Sequence, residues 1–118
     1  MNATPPPAYV VTHEGRTRMA RSSGCWNSGT STLCTDYASP DERDDLPRVV
    51  VQRHERIRFR LRFAPKEVGL NLPHRSITLR ASKRPTWRVT GRPRWLVLYA
   101  TAKRGGSASY AISVRVAS

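Results

Sequence analysis

Between residues 56 and 63 the chain reads Arg-Ile-Arg-Phe-Arg-Leu-Arg-Phe, an unbroken alternation of arginine with a large apolar residue. Successive side chains of a β-strand point to opposite faces. The segment therefore predicts a strand with Ile57, Phe59, Leu61 and Phe63 on one side and Arg56, Arg58, Arg60 and Arg62 on the other. Wound as a helix, the same residues would spread arginine around the whole circumference, which excludes an amphipathic helix.

Weaker versions of this pattern run through the chain. Ala8 to Thr12 and Arg16 to Arg21 predict strands on either side of a turn at Glu14-Gly15. Residues 22–47 are rich in Ser, Gly, Thr, Asp and Pro and predict a long loop. Val49-Val50-Val51 is β-branched throughout and predicts a strand over 48–52, with a turn at His54-Glu55. Pro65 and Lys66-Glu67 predict the next turn, and alternating strands follow around Val68 to Leu72, Ile77 to Leu79 and Trp87 to Val89. The apolar run Trp95 to Ala102 predicts a central strand, and Gly105-Gly106 turns the chain into a last one carrying Tyr110, Ile112, Val114 and Val116. Eight or nine short strands, evenly spaced and without a helix, predict an all-β fold, either a sandwich or a barrel. The expected core is Ile57, Phe59, Leu61, Phe63, Trp87, Val89, Trp95, Val97, Tyr99, Tyr110, Ile112 and Val114.

At 118 residues the chain has room for one domain, expected over residues 8–118. Pro5-Pro6-Pro7 gives residues 1–7 the character of an extended linker. No apolar run is long enough for a transmembrane helix, and Met-Asn-Ala-Thr-Pro-Pro-Pro lacks the apolar core of a signal peptide. Both a cytosolic protein and a chain released from a signal or anchor are compatible with that start.

Charge adds the first functional restriction. The net charge is +13, which favours anionic partners. It is unevenly placed: residues 1–45 carry a net −2 and residues 46–118 a net +15. Arginine outnumbers lysine eighteen to three. Guanidinium is the better group for bidentate phosphate or carboxylate contacts, although codon bias in a GC-rich genome gives the same excess.

The motifs of common enzymes are missing: no Gly-x-Ser-x-Gly, no phosphate loop, no His-Glu-x-x-His and no dinucleotide fingerprint. Nothing in the spacing calls for a cofactor. Asp41, Glu42, Asp44 and Asp45 do not match an EF-hand loop, and Arg43 among them predicts a solvated loop paired with arginines. Lys83 to Arg88 and Arg92 to Trp95 interleave cations with tryptophan, as single-strand nucleic-acid surfaces do. Trp87 and Trp95 fall on the apolar phase of their strands, however, and core tryptophan is the simpler expectation.

Cys25 and Cys34 enclose eight residues. No Cys-x-x-Cys or His-x-x-x-His spacing accompanies them, so no metal site is expected, and a disulfide or two buried free thiols remain. A disulfide would fasten the 22–47 loop to the body and close a loop of about ten residues, stabilising by roughly 2–3 kcal/mol. Gly24-Cys25-Trp26, then Cys34-Thr35-Asp36-Tyr37, with alternating strands and a final hairpin through Ser109-Tyr110-Ala111, resembles a group of small bacterial envelope domains. These are lipoproteins or extracellular parts of single-span proteins with a Gly-x-Cys-Trp segment near the start. The resemblance implies an extracytoplasmic location and an immunoglobulin-like antiparallel β-sandwich of about eight strands. It transfers no activity.

The functional expectation is a non-catalytic binding or sensing module. Its cationic strand face, Arg56, Arg58, Arg60 and Arg62, would contact an anionic envelope component or an acidic protein, or would be no more than a solvated surface that resists edge aggregation. The alternative is a cytosolic nucleic-acid-binding β-barrel that uses the same arginines on phosphates. Oligomeric state is not legible.

Overall fold

The computed structural model describes residues 4–27, 29 and 31–117. It is all-β, with strands β1 (Tyr9–Thr12), β2 (Gly15–Arg18), β3 (Ala20–Arg21), β4 (Gly24–Asn27), β5 (Thr32–Thr35), β6 (Arg48–Gln52), β7 (Arg56–Arg60), β8 (Pro65–Leu72), β9 (Arg75–Leu79), β10 (Thr86–Arg88), β11 (Trp95–Ala102) and β12 (Ser107–Ala117). Twelve strands replace the expected eight or nine. The extra ones come from the stretch read as one strand and a loop. Its strand splits at Met19 into β2 and β3, and the loop contains the β4–β5 hairpin. A single 3-10 turn, Pro40–Glu42, follows that hairpin and lies against β12.

One sheet has the order β10-β7-β1-β2, antiparallel throughout. A second runs β9-β8-β11-β12. The far edge of β12 is shared: β3 pairs antiparallel at Tyr110 and Ala111, and β6 pairs in parallel over Ser113 to Ala117. The expectation of wholly antiparallel pairing is thus corrected at β6. The chain crosses from the first sheet to the second at Met19, which is buried and whose N–H donates to Ala8 O at 2.9 Å.

Both sheets feed one apolar cluster. Val10, Ile57, Phe59 and Trp87 come from the first, and Val51, Val68, Leu70, Leu96, Leu98, Tyr110 and Ile112 from the second. The alternation in β7 and β12 is realised as expected: Ile57, Phe59, Tyr110 and Ile112 have no exposed surface. In β11 the phase is reversed. Leu96, Leu98 and Ala100 face the core, while Trp95 and Tyr99 are half-buried on the opposite face and Val97 is buried outside the core cluster. The run is apolar on both phases, so alternation could not choose between them. Tyr99 lies down across β8, and a Cβ on Gly69, its cross-strand partner, would collide with the ring. Phe63 is also only half-buried, because β7 ends at Arg60. Pro65 opens β8 instead of making a turn, and a strand's first residue tolerates the missing N–H.

The disulfide Cys25–Cys34 is present. The two residues are direct cross-strand partners, so the bond staples the hairpin to itself and does not tie the loop to the sheets. Other contacts dock the hairpin. Trp26 meets Phe63 edge-on at 4.9 Å between ring centroids. Gly24 lies so close to β12 that a Cβ would be 2.7 Å from Ser107 O. The N-terminal segment is fastened as well. Tyr110 donates its hydroxyl to Pro6 O at 2.6 Å and Arg21 donates to Pro5 O at 2.9 Å. Burial pushes the Tyr110 hydroxyl above the usual tyrosine pKa.

Glu55 joins the turns at one end of the molecule. It accepts from the backbone N–H of Gln52 (2.8 Å) and His13 (2.7 Å) and contacts His13 Nδ1 at 2.7 Å. Burial works to raise its pKa, but these bonds outweigh it and hold the carboxyl below 4.5. A depressed carboxylate stabilises the fold above its unfolded pKa and loses that contribution as pH falls through the folded value. Glu55→Gln should therefore cost about 1.5–3 kcal/mol at neutral pH. In denaturant titrations the gap between variant and parent should close well below pH 4.5; a gap that persists there would show that the charge is not what stabilises.

A candidate anion-binding face

The core-facing residues of β7 force its arginines outward, and the register of the neighbouring strands turns that line into a surface. On the outer face of the four-stranded sheet, Arg60, Tyr9 and Arg18 form one row. Thr86, Arg58, Val11 and Arg16 form the next, and Arg88 and Arg56 a third. Rows are about 7 Å apart and adjacent strands about 4.8 Å. The six arginines are all exposed.

No acidic residue stands in these rows. The ion pairs lie elsewhere: His13–Glu55 at 2.7 Å, Arg43–Asp45 at 2.8 Å and Arg94–Asp41 at 3.3 Å. Among the described residues, none of the six arginines makes an ion pair. The acidic loop is thus engaged with Arg43 and Arg94, as its composition predicted, and does not neutralise the face. The hydrogen bond from Arg43 holds Asp45 below the usual carboxylate range.

Arg56 and Arg88 are direct cross-strand partners. Phe59 N–H donates to Pro85 O and Val89 N–H to Glu55 O, both at 2.8 Å, which makes the Arg56–Arg88 position a non-hydrogen-bonded pair with its side chains close. Like charges so placed destabilise a sheet. Arg88 turns aside to donate to His54 O at 2.9 Å.

Of the four arginines singled out from sequence, Arg56, Arg58 and Arg60 lie on β7, and Arg62 follows its end. There Arg62 reaches back over the Tyr9 ring, 5.4 Å from its centroid, while Arg16 lies over the same ring at 4.4 Å. Leu61 N–H donates to Lys83 O at 2.8 Å, which brings the β9–β10 loop alongside. The result is a cleft of about 400 Å³ lined by Tyr9, Arg16, Arg60, Leu61, Arg62, Lys83 and Arg84. Its lining offers five cations and a phenol, with no carboxylate, so it can bind anions.

Sequence reasoning missed Arg16 and Arg18, and it set Lys83, Arg84 and Arg88 apart as a basic patch interleaved with tryptophan without joining them to this surface. The Arg-Thr-Arg alternation at 16–18 was visible, but not its face. A second cleft, of about 250 Å³, lies between the β8–β9 turn and the loop before β11, lined by Leu72, Pro73, His74, Arg75, Thr90, Arg92, Pro93 and Arg94. It shares no residue with the arginine face. Comparison with protein families, with curated proteins and with solved structures finds no match to this chain.

Proposed function

We propose that this chain is a non-catalytic binding module that works outside the cytoplasm, an immunoglobulin-like β-sandwich. Its arginine-bearing face docks on an anionic component of the bacterial cell envelope or on an acidic protein. The observation that carries the reading is the three-row array of exposed arginines with no acid among them. An array of like charges is a self-repelling surface, and a bound polyanion relieves it. The paired cysteines support an oxidising compartment, since disulfides persist there and are rare in the cytosol.

Sedimentation with lipid vesicles at low ionic strength tests the proposal. Vesicles containing anionic lipid should retain the protein and purely zwitterionic vesicles should not. Equal affinity for duplex DNA would favour the nucleic-acid alternative, because phosphate charge alone would then explain both. Indifference to every polyanion offered would leave the face a solvated surface.

A further inference from the structure

Resting on that reading, we infer that the cleft at the Tyr9 end of the face is a distinct subsite for a diphosphate-type group, meaning adjacent phosphoryl groups carrying three or more negative charges. The rest of the face attracts by charge alone.

Three features set the cleft apart. It is concave, with a volume of about 400 Å³, and a depression of about 420 Å³ lined by Arg80, Ser82, Arg84 and Thr86 adjoins it at Arg84. That volume is in the range of small-molecule sites. Five cations border it: Arg16 from β2, Arg60 and Arg62 from the end of β7, and Lys83 and Arg84 from the β9–β10 loop. They come from three separate chain segments. One monoanion leaves most of that charge uncompensated, and a compact group with three or four charges meets it without needing a long polymer. Lastly, the guanidinium groups are oriented before any ligand arrives. The guanidinium carbons of Arg16 and Arg62 lie over the Tyr9 ring, at 4.4 Å and 5.4 Å from its centroid, which holds in place two groups suited to bidentate contacts with phosphoryl oxygens. A guanidinium so held loses less rotamer freedom on binding than a free one.

Calorimetric titration of the whole chain with inorganic pyrophosphate and orthophosphate, near physiological salt, tests the subsite. Pyrophosphate should bind at least about tenfold more tightly than orthophosphate, one decade being a modest return for two guanidinium forks held against one ring. Arg60→Glu with Lys83→Glu should weaken pyrophosphate about tenfold or more. Arg48→Glu with Arg115→Glu makes the same change in net charge on β6 and β12 of the other sheet, outside the arginine face, and should leave pyrophosphate within about threefold. Arg62→Lys, which keeps the charge and removes the guanidinium fork, should also weaken it. Circular dichroism of each variant verifies the fold. Equal weakening by both double variants, or no preference for pyrophosphate, overturns the subsite. If the vesicle binding described above survives that outcome, the broader reading stands; if vesicle binding is absent too, both fall.

Discussion

Phe59→Ala is expected to cost about 3–5 kcal/mol. Phe59 has no exposed surface, is the cross-strand partner of Val10, and is among the largest fully buried side chains of the core. Truncation removes most of a phenyl ring from the apolar cluster that unites the two main sheets, and their backbone ladders resist collapse into the space. A domain of this size has about 5–15 kcal/mol of stability in total, so the variant should lie close to unfolding at ambient temperature. The melting temperature should fall by roughly 10–20 °C. Phe63→Ala, at a half-buried ring touching Trp26, should cost markedly less. A loss at Phe59 below about 1 kcal/mol would contradict the placement of the core.

The second large effect is the response of binding to salt. Each arginine that neutralises a phosphate releases a condensed counterion, so affinity falls steeply as salt rises. Proteins making six to ten such contacts lose about 10³–10⁵ in affinity for duplex DNA between 50 and 200 mM salt. The array offers six arginines in three rows, with further cations in the cleft. Engagement of all six places the loss for a phosphate polymer at about 1,000-fold across that interval. A titration series at four or five salt concentrations reads the slope directly. A slope near zero would mean that binding, if any, does not run through this surface.

How much of this was legible depended on whether a strand shows one apolar face or two. β7 and β12 alternate cleanly, and both their position and their buried phase follow from the sequence. β11 is apolar on each phase because it is central in its sheet, so its existence could be read and its orientation could not. β4 and β5 carry mostly exposed side chains and no apolar alternation, which left a Ser/Gly/Thr-rich hairpin indistinguishable from a loop. The disulfide was legible from an even pair without metal partners. Its role was not, because the partnership of Cys25 with Cys34 depends on the hairpin register. Pro65 misled as a turn signal for want of knowing that it opens a strand beside an irregularity at Thr101 and Ala102.

The candidate site followed the same logic. One arginine line was visible because it is local in sequence. Its extension to Arg16, Arg18 and Arg88 depends on antiparallel pairing between strands far apart in the chain. The cleft depends further on hydrogen bonds from Leu61 to Lys83 and from Phe59 to Pro85. Cross-strand geometry, not composition, turned an excess of arginine into a surface of defined spacing.

On the proposed function, position on this face, and not net charge, determines binding. The most direct measurement compares two variants of equal charge in the anionic-vesicle assay: Arg58→Glu with Arg60→Glu on the face, and Arg48→Glu with Arg115→Glu on β6 and β12 of the other sheet. All four side chains are exposed. The face variant should lose anionic-vesicle binding by about tenfold or more while the distant variant stays within about threefold of the parent. Equal losses in the two variants, or no loss in the first, would contradict the proposed function.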